Sequence, residues 1–189
     1  AATGNGELIN YIDKAFGGEK ADRVLMYNPD AIAQWIYQKY PDYMTNVICN
    51  TDKEIFLSAV MPSVTPVCFG TMYTGAQPEI HGIQGYVKPV IEIDTIFDVL
   101  IRAGKKPVII ATDGDSLSRI FLDREMDYFF FDTVEEVNAK TAEIIMEDKY
   151  DFVVVYNGNY DSVMHKKGPE SIEALGELRA NARTFAMFS

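Results

Sequence analysis

Four short apolar runs alternate with longer helical stretches, and this alternation limits the fold more than any other feature of the chain. The runs are Val24–Tyr27, Pro107–Ala111, Tyr128–Phe131 and Phe152–Tyr156. Each has the length of one strand and is too apolar to keep a wet face, so each reads as a strand of a buried sheet. Helical signals fill the gaps. A helix is expected from about Ala31 to Tyr40, stopped by Pro41. Thr65-Pro66 reads as an N-cap followed by Pro at the first helical position, opening a helix to about Tyr73. Asp94 is expected to cap Thr95–Ala103, which Gly104 ends, and Thr133 to cap a helix reaching about Asp148. In the latter, Val134, Val137, Ala142 and Ile145 roughly follow helical spacing. From Glu170 the chain reads as helical almost to its end, with Ile172, Leu175 and Leu178 on one stripe. Gly75–Pro89 is the longest irregular loop. Strands separated by helices imply an α/β fold, a mainly parallel sheet flanked by helices. Ligands of such sheets lie beyond the carboxyl ends of the strands, so chemistry is sought there.

The length of 189 residues suits one domain spanning 1–189 with a sizeable core. Lys and Arg number 17 against 28 Asp and Glu, a net charge of −11. That balance argues against a nucleic-acid duplex as partner, which needs a basic surface. No apolar run is long enough to cross a bilayer, so no membrane role is expected. Ala1–Gly6 is small and polar, unlike a signal peptide. With only Cys49 and Cys68 present, the sequence reads as that of a soluble protein of a reducing, cytoplasmic compartment. Two cysteines make neither a disulfide framework nor an all-cysteine zinc site. Metal chemistry would therefore rest mainly on carboxylates, helped by His81 and His165.

Three places after the apolar runs carry candidate chemistry. Asp161 and His165 follow Phe152–Tyr156 and, on a helix, stand one turn apart on one face. Such a pair chelates a divalent cation, with Zn²⁺ favoured by the imidazole, or forms only a weak surface ion pair. Asp30 follows Val24–Tyr27 and is either a metal ligand or the cap of the next helix. Thr65 places a hydroxyl at a helix N-terminus, where the dipole favours an anion or an alkoxide, so it is a nucleophile or a plain cap. Cys68, one turn inside, reads as a small core residue. After Pro107–Ala111, the segment Asp113-Gly114-Asp115-Ser116 resembles the nucleophile motif of haloacid-dehalogenase-type phosphatases, with Asp113 attacking phosphate and Mg²⁺ held beside it. A turn with Ser116 as helix cap is the preferred reading there.

Two longer segments match a family. Thr65-Pro66, Thr74-Gly75, Pro78 and His81-Gly82-Ile83 resemble the nucleophile segment of the alkaline phosphatase superfamily, most closely its nucleotide pyrophosphatase/phosphodiesterase branch. Asp161-Ser162, His165-Lys166 and Gly168-Pro169 resemble that family's metal-binding segment, in the right order along the chain. The resemblance covers about Arg23 to Leu175 and implies an alkaline-phosphatase-like fold and a phosphodiesterase-type hydrolase acting on a small phosphoester. It implies two divalent metal ions, Zn²⁺ or alternatively Mn²⁺. Asp161 and His165 would hold one, and Asp30 and Thr65 the other. Thr65 would attack phosphorus and form a phospho-enzyme that water hydrolyses. His81 would be structural, at the Gly82 turn.

The sequence departs from that pattern at Ala31 and Met164, where the family has Gly, and at Val67-Cys68, where it often has Asn. It holds neither a later Asp-His-Gly segment nor a third histidine. Each metal is therefore expected to find part of its shell here. Three readings follow: further chain beyond Ser189, a partner in an oligomer, or a non-catalytic relative that binds metal or phosphoesters.

Overall fold

The computed structural model describes residues 6–189 except 16 and 20; the start of the Ala1–Gly6 segment, read above as carrying no targeting signal, lies outside the described residues. Helix α1 (Gly6–Ala15) leads into strand β1 (Val24–Pro29). Short helices α2 (Gln34–Lys39) and α3 (Thr45–Cys49) flank a 3₁₀ turn at Pro41–Tyr43. Next come α4 (Thr65–Thr74), α5 (Pro78–His81), α6 (Ile96–Arg102), β2 (Pro107–Thr112), α7 (Leu117–Ile120) and β3 (Asp127–Phe131). The chain closes with α8 (Val134–Glu147), β4 (Phe152–Asn157), α9 (Asn159–Lys167) and α10 (Ile172–Phe188). No helix among the described residues is long and apolar enough to cross a membrane.

All four strands are parallel, in the order β1-β4-β2-β3. Central β4 is buried along its whole length and β2 along nearly all of it, which is why their sequences are continuously apolar. Alternation along them assigns two faces. Ile109, Ala111, Val154 and Tyr156 pack against Val67, Phe69, Tyr73 and Phe97 of α4 and α6. Val108, Ile110, Val153 and Val155 pack against Val137 and Ile144 of α8. A separate cluster, including Ile36, Tyr160 and Leu178, ties α2, α9 and α10 together.

The strand and parallel-sheet expectations hold, while several helix boundaries move for local reasons. Helix α2 starts at Gln34 because Ala31 has φ 60°, a left-handed backbone that cannot begin a helix. Thr65 is not a cap. Val64 takes the cap position with extended backbone, Thr65 is the first helical residue, and its hydroxyl faces elsewhere. Thr95 rather than Asp94 caps α6, in a reciprocal box with Asp98, while Asp94 grips Arg102. Thr133 does cap α8, also through a reciprocal box, with Glu136. The buried stripe of α8 runs through Val134, Val137, Thr141 and Ile144, leaving Ala142 and Ile145 half-buried. Ile172 is exposed, and Ala174, Leu178 and Ala182 carry the buried side of α10. The Gly75–Pro89 loop contains α5, bounded by Gly75 and Gly82 in left-handed conformation.

Candidate active site

The site is built where β1 and β4 end side by side. The register sets Asn28 opposite Tyr156 and Pro29 opposite Asn157, and the Asp30 N–H donates to the Asn157 carbonyl at 2.9 Å. The chain turns sharply at Ala31, whose left-handed backbone lets its N–H donate to Asp30 Oδ1 at 2.8 Å. This position needs positive φ, which glycine adopts freely, and alanine meets the requirement at a cost of about 1–2 kcal/mol. The other carboxylate oxygen, Oδ2, accepts a hydrogen bond from Thr65 Oγ1 at 3.0 Å and a second from the Tyr156 hydroxyl. Burial, then the negative charge of Asp30, drive the Tyr156 pKa far above the usual tyrosine value, so the phenol stays a donor.

At the end of β4, Asn157 Oδ1 accepts the N–H of Asn159, the first residue of α9, at 3.1 Å. One turn in, Asp161 Oδ1 and His165 Nε2 are 3.2 Å apart, with the imidazole 70% exposed and the carboxylate 29%. Burial, then the charge of Asp30, push the Asp161 carboxyl above its ordinary value, against an opposing pull from His165. Asp30, Thr65, Asp161 and His165 all line one cleft of about 580 Å³, together with Cys68 and Tyr86. Cys68 is therefore a half-buried wall residue rather than part of the core, its thiol pushed up by burial and by Asp30. Asp115, in the turn after β2, is also held high, chiefly by burial; Thr112 and Lys88 oppose the shift, while Asp30 and Asp161 add to it.

The structure thus brings the four expected residues to one cleft as two pairs. Carboxylate and hydroxyl oxygens with one imidazole are a donor set for Zn²⁺ or Mn²⁺. Each pair supplies two donors, and no group of three His, Cys, Asp or Glu side chains converges to hold a metal among the described residues. Asp113 is exposed and engaged by Arg119 at 2.8 Å, and Ser116 occupies the cap position of α7 without a side-chain capping bond. His81 is buried, with Nε2 3.1 Å from Thr71 Oγ1 and Nδ1 accepting the Ile83 N–H at 3.3 Å. Its ring lies so close to α4 that a Cβ at Gly70 would come within 2.7 Å of it. This histidine packs the turn after α4 and stands apart from the cleft.

No protein-family model and no curated protein matches the sequence. Solved structures do match. Murine ectonucleotide pyrophosphatase/phosphodiesterase 5 superposes over 88% of this chain with a TM-score of 0.70 at 18% identity. The chain has the alkaline-phosphatase-like α/β fold. An inactive threonine-to-alanine variant of the same murine enzyme, in complex with AMP, matches over 89% of the chain with a TM-score of 0.71 at 17% identity. Phosphonoacetate hydrolase from Sinorhizobium meliloti 1021, in complex with phosphonoacetate, matches over 87% with a TM-score of 0.63 at 15% identity. The chain spans about half the length of these structures, 51% of the murine enzyme and 52% of the bacterial one.

Three residues at this end of the sheet are not among the site residues expected from the sequence. Tyr156 reads in the sequence as a strand residue, although a hydroxyl at the end of an otherwise apolar run is a usable signal. Tyr86 lies in the irregular loop and Asp115 in the rival motif, and only the fold brings them near Thr65 and Asp30.

Proposed function

We propose that this chain is a phosphoester hydrolase of the alkaline phosphatase type, with Thr65 as nucleophile. The observation that carries the reading is the 3.0 Å hydrogen bond from Thr65 Oγ1 to Asp30 Oδ2, in a cleft shared with Asp161 and His165. Asp30 and Thr65 would hold one divalent metal, and Asp161 and His165 the other. Two cations held there would neutralise phosphate charge and stabilise the entering and leaving oxygens. Asp30 orients the Thr65 hydroxyl and is placed to take its proton as the Thr65 oxygen bonds to phosphorus and the ester oxygen departs. Water then attacks phosphorus, the Thr65–phosphorus bond breaks, and the threonine oxygen regains a proton. Phe69, Met72 and Met164 give the cleft apolar walls beside these groups. The bound AMP and phosphonoacetate of the structural neighbours favour small phosphate or phosphonate compounds as substrates.

The test is hydrolysis of bis-p-nitrophenyl phosphate with Zn²⁺ or Mn²⁺. Thr65→Ala is expected to lower turnover more than about 1,000-fold, as loss of a nucleophile does. Equal rates in the two proteins would remove Thr65 from the mechanism. One observation favours a second reading, a phosphoester- or metal-binding module without turnover: the absence of a three-ligand group among the described residues. Saturable Zn²⁺ binding by a protein with no hydrolysis would support that reading.

A further inference from the structure

We infer that Tyr156 is a positioning residue for Thr65, acting through the carboxylate oxygen that both hydroxyls share. This rests on the reading of Thr65 as nucleophile and adds the residue that aims it. Asp30 Oδ2 accepts from Thr65 Oγ1 at 3.0 Å and also from the Tyr156 hydroxyl, while Oδ1 accepts the Ala31 N–H at 2.8 Å. With both oxygens engaged, the carboxylate has one orientation, and that orientation decides where the Thr65 hydroxyl points. A long side chain can hold a carboxylate still only if it is itself held still.

Tyr156 meets that condition from three sides. It is 4% exposed and belongs to a central strand paired on both sides. Its ring meets Phe69 edge-on, with centroids 5.7 Å apart at 80°. Phe69 lies one turn along the helix that Thr65 begins, so the same helix carries the nucleophile and braces the residue that orients it. The third side is Gly158, where a Cβ would stand 3.2 Å from Tyr156 Cε1 and 3.3 Å from its hydroxyl. Space at Gly158 is what allows the phenol to reach Asp30. Tyr156 therefore links the end of β1, the start of α4 and the end of β4 at one oxygen atom.

Tyr73 supplies the control. It is another buried tyrosine, on α4, but its hydroxyl is paired with Asn28, whose Nδ2 donates to it at 3.1 Å, rather than with Asp30. Tyr156→Phe and Tyr73→Phe each delete one buried hydroxyl at constant shape. The three-bond carbon couplings of the Thr65 methyl group, measured by NMR on the metal-free full chain, report its χ1 rotamer. Wild type and Tyr73→Phe are expected to show one rotamer and Tyr156→Phe rotamer averaging. A single rotamer in Tyr156→Phe, or averaging in both variants, would overturn the inference. Should Tyr156→Phe not fold, Gly158→Ala displaces the phenol sterically and must produce the same averaging. In turnover, Tyr156→Phe is expected to lower kcat about 10–100-fold while KM stays within about twofold. An inactive wild type would count against the proposed hydrolysis alone, because the coupling measurement needs no turnover.

Discussion

The two ends of the sheet use the same residue types to opposite effect. At the amino end, Asp151 binds Lys105 at 2.9 Å and the Lys106 N–H at 2.7 Å, and Asp127 takes the Tyr150 hydroxyl and Lys149. Those contacts hold both carboxyls below their ordinary value. At the carboxyl end, Asp115 and Asp161 are held above it, by burial first and then by repulsion from neighbouring carboxylates. One end has its charge settled by lysines and hydroxyls. The other gathers negative charge around a cleft, an arrangement that costs stability and that a cation would relieve. The difference separates the part of the fold that holds the sheet together from the part proposed above to hold a ligand.

The largest expected effect lies on the paired side. Near the start of β3, the side chain of Arg124 is 7% exposed and binds Asp98 Oδ2 at 3.0 Å and the Ile91 carbonyl at 2.8 Å. Asp98 also closes the capping box of α6. Asp98→Ala removes the carboxylate half of the capping box and leaves a buried guanidinium without its carboxylate, so a loss of about 3 kcal/mol is expected in urea unfolding. A loss under about 1 kcal/mol would show that the paired carboxylates do not carry the fold.

A smaller effect of opposite sign tests the contrast itself. Asp151→Asn should destabilise the metal-free protein and Asp161→Asn should stabilise it, each by a few tenths of a kcal/mol after solvent screening. The pH dependence follows the same signs. The depressed carboxyls of Asp127 and Asp151 contribute stability above the ordinary Asp value of 3.8 and lose it as pH falls through their lower pKa. The raised carboxyls of Asp115 and Asp161 cost stability at neutral pH, and that cost disappears as pH falls through their higher pKa. Carboxyl NMR titration should place the two pairs on opposite sides of 3.8. Both pairs on the same side would break the contrast.

The same division explains what the sequence could show. The strands were legible because β2 and β4 are buried on both faces and nothing but apolar residues fits there. Thr65, Asp30, Asp161 and His165 were legible as pieces, since each follows a strand or begins a helix. Their pairing was not, because Thr65 and Asp30 are 35 residues apart and meet only through the packing of α4 on the sheet. Thr65 does not act as a cap because the helix begins one residue earlier than the Thr-Pro signal suggests: Val64 holds the extended cap position and Thr65 is already helical, with its hydroxyl donating to Asp30. Tyr156 was hidden for a similar reason: a pattern of alternating faces says which side a residue takes, and not which oxygen its hydroxyl reaches.

The function proposed above makes the carboxyl end of the sheet a cation-binding site built on Asp30 and Asp161. Calorimetric titration of Zn²⁺ into the metal-free chain tests it directly, with Asp30→Asn and Asp161→Asn beside wild type. Saturable binding to wild type is predicted, with affinity at least about 10-fold weaker in each variant. No saturable binding to wild type, or undiminished affinity in both variants, would contradict the account.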